Sequence, residues 1–195
     1  MTENDRRRWE QRYTSGQAPI DPAPNRWLVA QVAHLAALEA AAAPPPTALD
    51  LACGAGGALL WLARRGWQVT GVDISPTALA RAQAQLAAAG LHERATLLAA
   101  DLDDWRPPAE SYDLITSFFF LDRRLWPSLR AAVRPGGFLC FCTYHTGRLA
   151  ERPQTNPAHL LQPGELAALA QSWGWRVLAA QTDRRRDALL AQKEL

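Results

Sequence analysis

The apolar positions change period several times along the chain, and each change marks an element. Residues 3–13 are polar except for Trp9 and Tyr13, which stand four apart and share one face of a short helix. Ser15–Pro24 carries three prolines and reads as a linker. Asn25 is placed to cap a second helix with an apolar stripe of Leu28, Val32 and Leu35, which must end by Pro44–Pro46. The rhythm then becomes regular. Thr47–Ala52 predicts a strand, followed by a glycine-rich turn and a helix to Arg65, with Gly66 just past its end. Gln68–Val72 predicts a second strand, and Ser75-Pro76 opens a helix that runs to Gly90. Ala95–Ala99 and Tyr112–Phe118 read as the third and fourth strands, Arg123–Val133 as a helix, and Arg134–Gly137 as a tight turn into a fifth strand, Phe138–Thr143. Residues 144–162 have no clear period. Gly164–Ser172 is helical and stops near Gly174. Trp175–Gln181 and Ala188–Gln192 are strands joined by the charged turn Asp183–Asp187, short enough for an antiparallel hairpin.

Strands alternating with helices predict an α/β domain with a largely parallel sheet. The chain has 195 residues, which suits one domain: 1–46 as a helical lid and linker, 47–195 as the core. A hydrophobic fraction of 48% and a charged fraction of 21% place it among globular proteins. Three cysteines, a polar N-terminus without a signal core and no long apolar run predict a cytoplasmic protein with no membrane partner. A net charge of +2 is too small to imply nucleic acid.

Chemistry concentrates in Asp50-Leu51-Ala52-Cys53-Gly54-Ala55-Gly56-Gly57, between a strand and a helix. Glycine lets the backbone turn tightly and lets a ligand approach the main chain, and the N–H groups opening the next helix face an anionic group. Asp73 ends the second strand and Asp101 follows the third. In an open parallel sheet, ligands bind beyond the C-terminal strand ends, so Asp50, Asp73 and Asp101 converge on one rim. A carboxylate at Asp73 suits both hydroxyls of a ribose and repels a 2′-phosphate. Leu59 stands where a dinucleotide fingerprint needs its third glycine, and Asp50 is awkward beside a pyrophosphate. S-adenosylmethionine, cationic and free of phosphate, fits this pattern better than NAD.

Leu49–Gly57, Gly71–Ser75, Ala100-Asp101, Tyr112–Ser117 and Arg134–Gly137 resemble, in order and spacing, the successive motifs of class I S-adenosylmethionine-dependent methyltransferases. Trp9-Glu10-Gln11-Arg12-Tyr13 and the segment Asn156–Leu166 resemble parts of the small bacterial tellurite-resistance and thiopurine types. The resemblance implies an open doubly wound, Rossmann-like sheet of strand order 3-2-1-4-5-7-6 with strand 7 antiparallel. It implies a first helix, carrying Trp9, Arg12 and Tyr13, that folds over the cofactor. It also implies that Ala52, Gly54 and Gly56 pass under the methionine part and that Asp50 holds its ammonium. Asp73 would take the ribose hydroxyls, Ile74 would cover the adenine, and Asp101 and Leu102 would bond its edge. Ser117 and Phe118 would border the reacting methyl group.

Cys140 and Cys142 share a strand face near His145, too few ligands for a metal centre, and read as packing residues. The turn signature of nucleobase amino-methyltransferases is missing after the fourth strand, and the core leaves no length for a recognition domain, so the acceptor is expected to be a small molecule. A thiol or chalcogen oxyanion acceptor needs no general base. For another acceptor the rim candidates are Asp122, Tyr144 and His145. An NAD-linked or other nucleotide-binding enzyme, and a binding protein without turnover, are the alternative readings. The oligomeric state is open.

Overall fold

The computed structural model describes residues 3–17, 23–40 and 44–195. The sequence reading of Ser15–Pro24 as a linker therefore falls partly outside the described residues. The chain divides into two compact units, Met1–Arg106 and Pro107–Leu195.

In the first unit, helix α1 spans Glu3–Thr14. Asn25 caps α2 (Arg26–Ala30) by accepting the Trp27 N–H at 2.9 Å. The single helix expected here is two helices: the chain breaks at Gln31 and resumes as α3, Val32–Ala40. The break rotates the stripe. Leu28 and Leu35 are buried as expected, but Val32 is 37% exposed and Gln31 is buried in its place. Strand β1 (Thr47–Leu51), helix α4 (Gly57–Arg64), strand β2 (Gln68–Asp73), helix α5 (Pro76–Ala88) and strand β3 (Ala95–Ala99) follow within a few residues of their predicted bounds. Gly66, at φ +93°, ends α4. Ser75 caps α5 by accepting the Ala78 N–H at 3.1 Å, with Pro76 opening the helix. β1, β2 and β3 are parallel neighbours. Leu49, Leu59, Leu62, Trp67 and Leu86 form their core. The Trp67 indole N–H donates to Glu39 at 2.9 Å, beside an Arg65–Glu39 pair, so the buried indole keeps a partner.

The second unit opens with β4, Tyr112–Phe118, as predicted. The helix expected over 123–133 begins as a 3-10 turn, Arg123–Leu125, and continues as α6, Trp126–Ala132. Strand β5 runs from Val133 to Tyr144 and includes the predicted turn. Tyr112 pairs with Val133 and Leu114 with Phe138, so residues 134–137 loop out of the ladder, with Gly136 at φ +77°. Helix α7 (Glu165–Ser172) and strands β6 (Arg176–Thr182) and β7 (Arg186–Gln192) complete the chain. β7 is antiparallel to both β5 and β6. The seven strands take the order β3-β2-β1-β4-β5-β7-β6, as the resemblance implies. No helix among the described residues is long and apolar enough to cross a membrane.

Candidate functional site

The first unit concentrates the candidate residues around the turn after β1. Ala52, Gly54 and Gly56 lie in the left-handed region, at φ +51°, +55° and +88°. The alanine carries a steric cost there that the glycines do not. A Cβ on Gly54 would collide with the Tyr13 hydroxyl, so the backbone is open on the side that α1 covers. Gly56 serves packing: its Cβ would stand 2.9 Å from the Ala82 Cβ of α5.

Asp73 is buried at the end of β2. Its Oδ2 accepts the Gly54 N–H at 2.8 Å and its Oδ1 the Ser75 N–H at 2.9 Å. One carboxylate thus ties the glycine turn to the start of α5. Burial pushes its pKa up, and the N–H donors of Ser75 and Gly54 work against that rise. Asp50 is buried on the neighbouring strand. Cys53 is buried too, and burial first, then the Asp50 and Asp73 charges, hold its thiol well above the ordinary range. This thiol is a packing group rather than a nucleophile.

Helix α1 lies against α5. Glu10 accepts from the Ser75 hydroxyl at 2.6 Å, from the Thr77 N–H at 3.3 Å and from the Thr77 hydroxyl. A carboxylate at the first turn of α5 also faces the positive end of that helix. Burial alone would raise the Glu10 pKa, but the Ser75 and Thr77 donors outweigh it and hold it low. The Arg81 guanidinium donates to the Tyr13 carbonyl oxygen at 2.5 Å. Burial, then the Asp73 charge, push the Tyr13 hydroxyl up to about 12. Trp9 is half-buried, and the exposed Arg12 lies 4.8 Å over its ring. Sequence reasoning missed Glu10, Thr77 and Arg81, although Glu10 and Tyr13, three apart, share a helix face and Ser75-Pro76-Thr77 offers two hydroxyls at one helix start.

The remaining candidates divide between the units. Ile74 and Leu102 are buried. The Asp101 Oδ1 accepts the Asp103 N–H at 2.9 Å, an Asx turn that orders the loop after β3. In the second unit, Ser117 is buried on β4 and its Oγ has no hydrogen-bond partner, while Phe118 is half-buried at the strand end. Asp122 accepts from the Arg124 N–H and guanidinium at 2.9 and 2.7 Å. Burial would raise its pKa, but the Arg124 donors hold it below its ordinary range. His145 is buried, with Nδ1 accepting the Gly147 N–H and Nε2 against the Asp183 carbonyl oxygen, both at 2.9 Å. Nδ1, the nitrogen that accepts, is thus occupied by the Gly147 N–H. Tyr144 is half-buried under Arg148.

With this geometry in place, comparison with known proteins is informative. Residues 48–137 match a family model described as a methyltransferase domain. "Probable thiol methyltransferase 2" of Arabidopsis thaliana is 31% identical over 149 residues, 71% of this chain and 62% of that protein. "Ribosomal RNA small subunit methyltransferase C" of Alcanivorax borkumensis is 41% identical over 81 residues, 41% of this chain and 24% of that protein. The chain spans less than two thirds of these curated relatives. A crystal structure of an S-adenosylmethionine dependent methyltransferase from Mesorhizobium loti superposes with a TM-score of 0.62 at 22% identity, covering 83% of this chain and 98% of that one. The cofactor these likenesses imply is S-adenosylmethionine. Residues 48–137 are thus similar to a methyltransferase domain, and the seven strands take the order that the resemblance to class I S-adenosylmethionine-dependent methyltransferases implies.

Proposed function

We propose that the chain transfers the methyl group of S-adenosylmethionine to a small, soft, anionic acceptor such as a thiolate or a chalcogen oxyanion, in the cytoplasm. The observation that carries this reading is the buried Asp73, braced by the Gly54 and Ser75 N–H groups at a left-handed glycine turn. The residues fit the cofactor. Gly54 leaves its backbone without a Cβ where the Tyr13 hydroxyl stands over it, and Asp73 is a buried acid beside that turn. In this reading Asp73 holds the ribose hydroxyls, Asp50 the ammonium, Gly54 and Gly56 shape the cradle, and Ala52 re-aims the chain. Ile74, Asp101 and Leu102 take the adenine. Trp9, Arg12 and Tyr13 close over the methionine part. On the second unit, Ser117 and Phe118 keep the acceptor-side role that the resemblance gives them.

The cofactor supplies a methyl group on a sulfonium, which is its own leaving group. What remains for the protein is alignment for in-line attack and exclusion of water. His145 has no free acceptor nitrogen, and Asp122 is held low by Arg124, a poor proton acceptor. That commitment of two rim candidates supports an acceptor already ionised, which needs no base. Calorimetric titration with S-adenosylmethionine and with NAD, followed by labelled-methyl transfer across small thiols, oxyanions, phenols, amines and ribosomal RNA, tests the reading. Binding of NAD alone, or transfer only to RNA, overturns it.

A further inference from the structure

Three side chains at and just beyond the C-terminal ends of β4 and β5, Phe119, Tyr144 and Arg148, form a cluster that neither the fold nor the cofactor explains. The Arg148 guanidinium lies 3.6 Å from the centroid of the Tyr144 ring. Its Nε is buried without a hydrogen-bond partner, and among the described residues no carboxylate pairs with the guanidinium. Arg185 and Arg186, close by in the fold, each have one, Glu151 at 2.8 Å and Asp183 at 3.0 Å. The Phe119 ring stands 5.2 Å from the Tyr144 ring at an interplanar angle of 30°. Phe119 is 47% exposed and sits at φ +60°, an outlier for a bulky residue. The strand holds it there, since its N–H donates to the Cys142 carbonyl oxygen at 2.8 Å. Strain of this kind persists where the surroundings impose it, and it clusters at ligand-binding positions.

The loop carrying Arg148 is braced as well. His145 fastens it through the Gly147 N–H and the Asp183 carbonyl, and the Arg148 N–H donates to the His145 carbonyl at 3.0 Å. The one buried acid of the adjoining strand, Asp187, is in register with Thr143, not with Tyr144, and so faces the other side of the sheet. An unpaired planar cation, two aromatic rings and no opposing carboxylate suit a ligand with a negative group on a flat apolar body.

We propose that Arg148, Tyr144 and Phe119 form the subsite that anchors the acceptor, Arg148 taking its anionic group and the two rings its planar part. This rests on the methyl-transfer reading only for the word acceptor; the subsite itself is a binding claim. Salicylate and its neutral counterpart salicylamide are the probes, titrated into the full chain by calorimetry or ligand-observed NMR. Salicylate is expected to bind about tenfold tighter than salicylamide, a preference that shrinks with added salt. Arg148→Gln should erase the preference and Arg148→Lys should restore part of it, both with unchanged affinity for S-adenosylmethionine. Phe119→Gly relieves the backbone, so it should not lower the melting temperature, yet it should weaken both probes severalfold. Equal affinity for the two probes, or a preference that survives Arg148→Gln, overturns the anion site. Unchanged binding in Phe119→Gly overturns the ring wall. Loss of S-adenosylmethionine binding with the salicylate preference intact rejects methyl transfer alone.

Discussion

At the scale of single residues, Asp73 has, in the proposed reading, two tasks that one substitution cannot separate. Removing its carboxylate would take away the proposed ribose acceptor and would also strand the Gly54 and Ser75 N–H groups that it holds at 2.8 and 2.9 Å. Hydrogen bonds to a charged group are worth about 1.5–3 kcal/mol each, so Asp73→Ala is expected to weaken S-adenosylmethionine binding by at least about tenfold. It should also lower the melting temperature, which a ribose contact alone would not do. Calorimetry together with a thermal melt checks both effects, and unchanged affinity means the ribose has been placed wrongly. Gly56 is a less useful probe. Gly56→Val would clash with Ala82 and strain a φ of +88° before any ligand arrived, so lost binding would not identify a cradle.

At the scale of elements, the attachment of α1 to α5 is the feature least visible in the chain. Glu10 finds its partners 65 and 67 residues away, and no local pattern announces a contact of that kind. The strands, by contrast, are legible to within about two residues, except that β5 starts at Val133 where the sequence reading began it at Phe138. Tyr112–Phe118 is an apolar run bounded by turn formers, and Ser75-Pro76 marks the start of α5 by cap and proline alike. Gln31 is not legible as a break, because the surrounding helix formers continue across it. The stack on Tyr144 lies in a stretch without periodicity, so only the folded chain brings Arg148 and Phe119 to it.

The same attachment is sensitive to pH at both ends of the range. Glu10 is held below its ordinary 4.5 when docked, so its contribution is present above that value and is lost as pH falls through the lowered one. Glu10→Gln should reproduce the loss at neutral pH, at about 1 kcal/mol or roughly a fivefold drop in the docking equilibrium constant. Faster tryptic cleavage at Arg6, Arg7, Arg8 and Arg12 is the measure, and cleavage at the native rate would remove Glu10 from the attachment. Tyr13 acts in the opposite direction. Its hydroxyl is raised from 10.0 to about 12 when docked, so the free helix loses its proton first and docking weakens as pH rises between those values. A late-titrating phenol in the alkaline absorbance titration, missing from Tyr13→Phe, is the expected sign; a titration that Tyr13→Phe leaves unchanged at its late end would mean that Tyr13 is not covered.

At the scale of the whole molecule, what these attachments must outweigh decides how the chain behaves without its cofactor. α1 is 12 residues long, and ordering each costs about 1–2 kcal/mol of backbone entropy, only partly recovered by its own helical bonds. Against this stand the Glu10 bonds to Ser75 and Thr77, one Arg81 bond to a carbonyl and two half-buried aromatic residues. None of these is a core contact, so the helix belongs to the low-stability end of the fold. A cofactor lying against Gly54 and Tyr13 would add contacts that exist only when α1 is down, and by mass action its binding should hold the helix in place. Amide exchange in α1 is therefore expected to slow on addition of S-adenosylmethionine or its demethylated product, while exchange in β1 and β2 stays slow throughout. Deleting residues 1–14 should leave the far-ultraviolet spectrum and a cooperative melt intact but abolish methyl transfer, because the open site admits water and loses its alignment. Equal exchange in α1 with and without cofactor, together with full turnover by the truncated chain, would make it a surface helix with no part in the reaction.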